Sequence, residues 1–399
     1  MRRLGRIAGV RLPGASVATD LFIAGDELAE RLGDGETLDG RGLLALPGIV
    51  DLGVHAIDKP AFRAGGIVRA ALLPDQSPIL DDPGPVKETA ASGKPDLWVH
   101  PLAAATRGLA GDELAEFALM ARVGARGVAT GRRWIASSAV MARVLRYAAS
   151  LDLPVIAHAQ DGGLVGDAVA TEGPVAFALG LPSAPAIAER MAVERDLALA
   201  ELTGAHIHFH LLTTRDALHQ VRLAKAAGLA VTCGTAPPYW MLADHDVSDF
   251  RTFVRLSPPL RPEDDRLAVR DAIGDGTVDV LTSAHDPVGP EGKRLPFADA
   301  DPGAAGAATL LPLALGLVRD GVIDEVRLAD LLAGAPSRIL RLEGGRLRPG
   351  SPADVILVHA ERPWQIRADA LGSGGNTPFD GLPVQGRVVA VVKGGQLLE

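Results

Sequence analysis

The chain has 399 residues, a formal net charge of −9 and 47% hydrophobic residues. That length suits two or three ordinary domains or one large barrel with an attachment, and the apolar composition argues against a disordered protein. The net negative charge and the absence of a long basic run argue against nucleic acid, or an anionic membrane surface, as a partner.

A single cysteine, Cys233, excludes an intrachain disulfide framework and a multi-thiolate zinc site. Residues 1–16 are basic but lack the apolar core of about 7–15 residues that a signal peptide needs. No apolar run is long enough for a membrane-spanning helix. We therefore expect a cytoplasmic protein.

The order of predicted elements indicates a barrel flanked by two β pieces. Residues 1–48 predict short strands with Gly/Pro turns, and the chain returns to β-type patterns after about residue 345. Between them, eight β-type runs alternate with helical stretches, and these runs are 46–55, 65–74, 96–104, 125–131, 153–161, 205–214, 229–238 and 278–286. Eight βα units favour a closed parallel barrel. We predict an α/β protein with a (β/α)8 TIM barrel over residues 49–344 and a composite β-sandwich domain from residues 1–48 and 345–399.

Histidines recur where these runs end, which is the edge of such a barrel that carries active sites. With the runs numbered as strands 1–8, histidines end or follow strands 1, 5, 6 and 8. One histidine near a barrel mouth is more often a partly buried, hydrogen-bonded residue than a ligand, but the recurrence favours an inherited site. On strand 6, His206, His208 and His210 share one face, and the deeper two are expected to fill the barrel interior. Cys233 on strand 7 is interpreted as a small buried residue.

Several of these segments resemble the dihydroorotase branch of the amidohydrolase superfamily. They are LPGIVDLGVH, LPVIAHAQD, HFHLLTT, RLSPPLRPEDDR, DGTVDVLTSAHDPVGPEGKRLPF and the closing segments LRPGSPADVILV and NTPFDGLPVQGRVVAVVKGG. The resemblance runs from residue 45 to the C-terminus. It implies a barrel of the amidohydrolase type and hydrolysis of a cyclic amide by two metals, usually zinc, that polarise the carbonyl and activate a water.

In that family the metals are held by His-x-His on strand 1, by one histidine each on strands 5 and 6, and by an aspartate on strand 8 that is also the general base. This sequence departs from the pattern. The first strand 1 histidine corresponds to Gly53, and only the second, His55, is retained. Strands 5 and 6 retain His158 and His210. The aspartate on strand 8 corresponds to Ala284.

The positions that contact substrate in the family are also altered. The arginine expected after strand 1 falls on Ile57, and the asparagine expected after strand 2 falls on Asp75. The asparagine that precedes the family's PPLR segment is Ser257. His285, at another substrate-contact position, is retained.

Strand 4 supplies a bridging carboxylate to the metals in the family, and it has none here. Residues 124–151 contain no Asp, Glu or Lys, but they contain Arg126, Arg132, Arg133, Arg143 and Arg146. Unless acids elsewhere neutralise them, these cations are expected to oppose the binding of a dication.

The resemblance therefore implies a dihydroorotase homologue with a degenerate metal and catalytic site and no cofactor. It is similar to the inactive homologues that are structural partners of aspartate carbamoyltransferase in pyrimidine biosynthesis, so that enzyme or a second copy of the chain is the expected partner. The alternative is an active hydrolase with one zinc, in which His158 and His210 recruit His208 or Asp286 as a third ligand.

Overall fold

The computed structural model describes residues 2–371 and 375–398. The strands are β1 (Arg2–Val10), β2 (Thr19–Ala24), β3 (Glu27–Ala29), β4 (Glu36–Asp39), β5 (Leu44–Pro47), β6 (Ile49–Val54), β7 (Ile67–Leu72), β8 (Trp98–Pro101), β9 (Ala103–Ala104), β10 (Val128–Ala129), β11 (Val155–Ala157), β12 (Ala170–Thr171), β13 (Ser183–Ala184), β14 (Ile207–Phe209), β15 (Val231–Thr235), β16 (Val280–Leu281), β17 (Val355–Gln365), β18 (Pro383–Lys393) and β19 (Gln396–Leu398).

The helices are α1 (Lys59–Gly65), α2 (Pro83–Ser92), α3 (Phe117–Arg122), α4 (Ser138–Ser150), α5 (Gly162–Val165), α6 (Pro174–Leu179), α7 (Ile187–Thr203), α8 (Arg215–Ala226), α9 (Pro237–Met241), α10 (Glu263–Gly274), α11 (Pro290–Lys293), α12 (Leu310–Arg319), α13 (Glu325–Ala329) and α14 (Ala335–Ile339). Short 3₁₀ segments lie at Arg107–Leu109, Asp244–Val247, Thr252–Val254 and Ala368–Ala370, and a π-helical turn lies at Asp330–Gly334. No helix in the described part of the chain is both long and apolar enough to cross a membrane.

The eight predicted β runs form a parallel barrel, which confirms the predicted fold class. Its strands in chain order are β6, β7, β8 continued by β9, β10, β11, β14, β15 and β16. The last strand meets the first through polar contacts: the backbone N–H of His55 donates to the carbonyl of His285 at 2.9 Å. Below that contact, the carboxylate of Asp51 accepts from the Thr282 hydroxyl at 2.7 Å and from the Ser283 N–H at 3.0 Å.

The barrel strands are apolar on both faces because one face fills the barrel and the other packs against helices. Val50, Leu52, Ala129 and Ile156 belong to one cluster of buried side chains, whereas their chain neighbours, such as Ile49, belong to the larger cluster with the helices. This alternation places successive side chains on opposite faces. It also leads His55 and the other residues that follow the strands to one end of the barrel.

The two terminal β pieces join in one curled sheet, as the sequence predicts. Its order is β3-β2-β1-β19-β18-β17-β5, and β4 pairs in parallel with β1. The N-terminal and C-terminal strands pair directly, with Arg2 opposite Leu397. The sheet has its own core, which includes Leu4, Ile7, Ile23 and Val392. Both chain ends are therefore tied to one small domain beside the barrel.

Candidate functional site

A narrow cavity opens at the carboxyl end of the barrel strands. Four residues singled out from the sequence line it: His55, Ser257, Ala284 and Asp286. Much of the remaining wall is apolar or aromatic and includes Leu211, Tyr239, Pro378 and Phe379. An apolar pocket with a few polar groups at one side is the usual form of a small-molecule site.

The end of strand β6 leaves no room for a side chain at Gly53. This glycine has φ = +97° and lies where the pairing of β6 with β7 shifts register between Leu52 and Val54. A Cβ atom at this position would lie 2.1 Å from Cε1 of His210, so the His210 ring fills the space next to the glycine. A histidine, which the sequence resemblance leads us to expect at this position, is therefore disfavoured both by the backbone conformation and by the His210 ring.

The two retained histidines of β11 and β14 are uncharged lone-pair donors. Burial, aided by the nearby His55, lowers the pKa of His158 to about 4 and that of His210 to about 3. Neither ring nitrogen of His210 has a hydrogen-bond partner in the described part of the chain. Both imidazoles, which the sequence resemblance predicts as metal ligands, are therefore in the uncharged form that can bind a metal ion.

The polar wall of the mouth is a network of charged contacts centred on Arg132. His55 Nδ1 lies 2.8 Å from Asp75 Oδ2, and the Nε of Arg132 donates to the same oxygen at 2.6 Å. At its other end, Arg132 donates to both carboxylate oxygens of Asp286, one of these bonds being 2.9 Å long. Arg132 follows β10, whereas Asp75 and Asp286 follow β7 and β16. The two acids thus neutralise the arginine that the sequence places on the acid-free strand 4.

The charges of Asp75 and Arg132 follow from the contacts between them and their neighbours. Burial alone would raise the pKa of Asp75, but the hydrogen bond from His55 and the charge of Arg132 hold that pKa below its usual range. Burial would likewise lower the pKa of Arg132, and the contacts with Asp286 and Asp75 raise it instead. The mouth therefore carries one fixed cation between two carboxylates.

The two residues predicted as substitute ligands make contacts of their own, although Nε2 of His208 has no hydrogen-bond partner in the described part of the chain. His208 is fully buried below the mouth and its Nδ1 lies 3.0 Å from the Thr232 hydroxyl, which also contacts His206. Both oxygens of Asp286 accept from Arg132. Within residues 2–371 and 375–398, no group of three or more His, Cys, Asp or Glu side chains is placed to hold a metal ion. The donor set does not fit a catalytic zinc site, which uses about three protein ligands and a water.

The positions that correspond to substrate contacts are only partly at the cavity. Ser257 lines it, whereas Ile57 packs against the core of the barrel. His285 is fully buried behind the wall, where its Nδ1 accepts from the N–H of Ala307 at 3.3 Å and its ring stands edge-on to Phe62. Of the four substrate-contact positions predicted from the sequence, Ser257 is the one that lines this cavity.

Two features of the site region are not apparent from the sequence interpretation. Asp51 joins strands β6 and β16, and its signal is a single carboxylate inside an otherwise apolar strand. Glu189 on α7 is completely buried and forms an ion pair with Arg261, whose signal is only its place in the PPLR segment. Cys233 is buried, and burial raises the pKa of its thiol, as expected for a packing residue.

Comparisons with known proteins identify the family to which the chain is similar. A family model described as "Dihydro-orotase-like" matches residues 85–217. The chain is 36% identical to a dihydroorotase of Syntrophotalea carbinolica over 96% of this chain and 92% of that protein. It is also 36% identical to a "Dihydroorotase-like protein" of Pseudomonas aeruginosa, over 91% of this chain and 89% of that protein.

Solved structures support the same architecture. The L-hydantoinase (dihydropyrimidinase) of Arthrobacter aurescens superposes with a TM-score of 0.87 at 21% identity, covering 100% of this chain and 96% of that one. The dihydropyrimidinase of Brevibacillus agri superposes with a TM-score of 0.83 at 19% identity, covering 100% and 95%. At such identities the likeness concerns the fold alone.

Proposed function

This chain belongs to the dihydroorotase-like family, and from that premise we propose that it is a family member without dihydroorotase activity. In this proposal it is a non-catalytic structural partner of aspartate carbamoyltransferase in pyrimidine biosynthesis. The observation that carries the loss of activity is Arg132, a permanent cation fixed between Asp75 and Asp286. It lies at the barrel mouth, where the family's chemistry needs metal ions.

Three separate requirements of cyclic amide hydrolysis fail in the same mouth. Ala284 has no group that accepts a proton, so the general base is missing. Gly53 has neither a donor nor space for one. Ile57 packs on the core and cannot form the paired hydrogen bonds that an arginine makes with a carboxylate. Independent losses of base, ligand and substrate anchor are typical of relaxed selection on catalysis rather than of a new specificity.

The partnership is supported by what the chain keeps. The barrel, the composite sheet and the buried Glu189–Arg261 pair are complete although the mouth is altered. A fold that is kept after loss of catalysis can still serve by binding another protein through its surface. The family resemblance suggests that this protein is aspartate carbamoyltransferase. A stable complex of this kind buries more than about 1,000 Å².

The test is size-exclusion chromatography with light scattering on this protein and the aspartate carbamoyltransferase of the same organism, mixed at micromolar concentration. We expect one stoichiometric complex and a transferase that loses activity or stability when this chain is removed. His158→Ala and His210→Ala are matched variants, because His210 is buried and His158 is half-buried at the strand ends, and they should leave the complex intact. Two separate peaks at every ratio, with unchanged transferase activity, would remove the partner role. A single peak of this chain at twice its mass would favour a homo-oligomer.

A second function is favoured by one observation: both ring nitrogens of His210, close to His158, have no hydrogen-bond partner in the described part of the chain. They would suit a cyclic amide hydrolase with one zinc if a third ligand approached during binding of metal. Elemental analysis of protein purified without chelators, together with hydrolysis assays on dihydroorotate, dihydrouracil and hydantoin, distinguishes the two functions. One zinc per chain and turnover that His210→Ala abolishes would replace the non-catalytic proposal.

A further inference from the structure

One guanidinium group links the ends of four barrel strands, three directly and one through a carboxylate. Arg132 follows the fourth barrel strand and contacts Asp75 after the second strand and Asp286 after the eighth. His55, after the first strand, is attached to the same Asp75 oxygen. A metal centre in a barrel of this kind would connect strand ends in the same way, through a cation held by side chains from several strands.

We propose that Arg132 replaces the metal as the cation that holds the barrel mouth together, so that the mouth is complete without a metal and excludes one. We call the group His55, Asp75, Arg132 and Asp286 the arginine latch. The inference concerns the mouth alone and holds whichever partner the chain binds.

The latch needs a cation because its two carboxylates converge. Asp75 and Asp286 are 13% and 15% exposed at their side chains, and both lie within hydrogen-bond reach of one arginine. Without a cation, two largely buried anions this close would repel each other and lose their hydrogen bonds. The planar guanidinium donates to both carboxylates at once, since its Nε and its two terminal nitrogens point in different directions.

The same contacts explain why a dication is excluded. Arginine stays protonated in proteins, so its charge cannot be removed to make room for a metal. Both oxygens of Asp286 and one oxygen of Asp75 are already accepting hydrogen bonds from it. A second cation among these groups would meet direct repulsion. Of the four carboxylate oxygens it would find only Asp75 Oδ1 without a partner in the described part of the chain.

The latch is tested by thermal unfolding of the full chain in EDTA and in zinc chloride, with bound zinc counted by elemental analysis. The variants are Arg132→Met, Arg132→Lys and the control Arg133→Met, which removes an exposed arginine that makes no ion pair among the described residues. We expect wild type and Arg133→Met to bind no stoichiometric zinc and to unfold at the same temperature in both solutions. Arg132→Met should unfold about 2–5 °C lower than wild type in EDTA. Arg132→Lys should have an intermediate unfolding temperature, because a lysine keeps the positive charge but lacks the several N–H donors of the guanidinium.

Two further results show whether Arg132 acts through its positive charge or only through packing of its side chain. Zinc should raise the unfolding temperature of Arg132→Met and bind near one per chain, because the acids and imidazoles of the mouth are then free to receive it. The triple variant Arg132→Met/Asp75→Asn/Asp286→Asn should regain most of the lost stability in EDTA, because no anions remain to be neutralised.

Stoichiometric zinc in the wild type, or equal unfolding temperatures for Arg132→Met and Arg133→Met in EDTA, would overturn the latch. The latch would also be overturned if zinc does not raise the unfolding temperature of Arg132→Met and the triple variant is no more stable than Arg132→Met. If Arg132→Met does not fold, Arg132→Lys and the triple variant give the same comparison. None of these readouts involves aspartate carbamoyltransferase, so the latch and the partner role stand or fall separately.

Discussion

Two arginine–carboxylate groups lie at the same end of the barrel, and they differ in burial and in how completely their hydrogen bonds are satisfied. One is the arginine latch of the mouth. The other, which we call the frame pair, is Glu189 with Arg261. The side chains of the frame pair are 0% and 3% exposed, whereas Arg132 is 43% exposed.

The frame pair is saturated. Glu189 accepts from the backbone N–H groups of Thr213 and Thr214 at 2.8 and 2.9 Å, and also from both of their hydroxyls. Arg261 donates to Glu189, to the Thr213 hydroxyl and to the Thr171 hydroxyl. In the latch, by contrast, one oxygen of Asp75 has no partner in the described part of the chain.

The contrast shows which constraints the sequence still obeys. Polar groups that hold the loops of strands β11, β14 and β15 in place are complete, because a buried charge without partners would unfold the protein. At positions 53, 57 and 284, where the resemblance predicts groups for catalysis or substrate binding, the chain has Gly, Ile and Ala, which cannot supply them. This pattern is what a protein retained for its shape would show.

The largest effect is expected from breaking the frame pair. Arg261→Met should lower the free energy of unfolding by about 3–5 kcal/mol, because it leaves Glu189 buried without its cation. The urea midpoint of the full chain measures this loss. The control Arg215→Met removes a surface pair with Asp264 and should cost less than about 1 kcal/mol. Equal losses of unfolding free energy for Arg261→Met and Arg215→Met would contradict the distinction between the frame pair and the arginine latch.

A smaller loss is expected at the replaced ligand position. Gly53→His should cost about 2–4 kcal/mol, the sum of backbone strain at positive φ and a clash with the His210 ring. The control Gly204→Ala also has positive φ, but its Cβ would enter open space, so it should show the strain alone. Adding His210→Ala to Gly53→His should recover the part due to the clash. A Gly53→His protein as stable as wild type would show that the mouth is more adaptable than its geometry indicates.

Acid should weaken the fold through its buried imidazoles. Burial lowers the pKa values of His100, His158 and His210 to about 3, 4 and 3, and Arg69 and Arg126 lower that of His100 further. Between about pH 6.5 and pH 4 the unfolded chain binds protons that the folded chain does not, so the free energy of unfolding falls as the pH falls. Each imidazole contributes at most about 1.4 kcal/mol per pH unit. Urea midpoints from pH 7 to pH 5 should show a shallower slope for His100→Gln than for wild type, and an identical slope would contradict this origin.

The smallest effect is expected from restoring the general base alone. Ala284 lines the cavity with φ = +46°, a conformation that aspartate tolerates better than most residues. Ala284→Asp should therefore fold with a stability within about 0.5 kcal/mol of wild type and should not hydrolyse dihydroorotate. Gly53→His/Ala284→Asp should be inactive as well, because Ile57 and strand 4 are unchanged. Strong turnover by either variant would show that these positions are misassigned.

The sequence by itself determined the architecture and the gaps in the site. Eight apolar runs that alternate with helical stretches sufficed for the barrel, because burial on both faces of parallel strands leaves a pattern readable in one dimension. Relatives at 36% identity over most of the chain confirm the family, whereas the assignment of Gly53, Ala284 and the acid-free strand 4 to lost ligand and base positions stays a prediction from the sequence. Absent side chains are visible in a sequence without any knowledge of contacts.

Only the tertiary structure decided what took the place of the missing groups. Arg132, Asp75 and Asp286 are separated by 57 and 154 positions, so no local pattern relates them. The same is true of His210, whose ring fills the space beside Gly53, and of His285, which the structure turns into the core. Pairing of charges and filling of space depend on which strand ends meet, and that is set by closure of the barrel rather than by residues near each other in the chain.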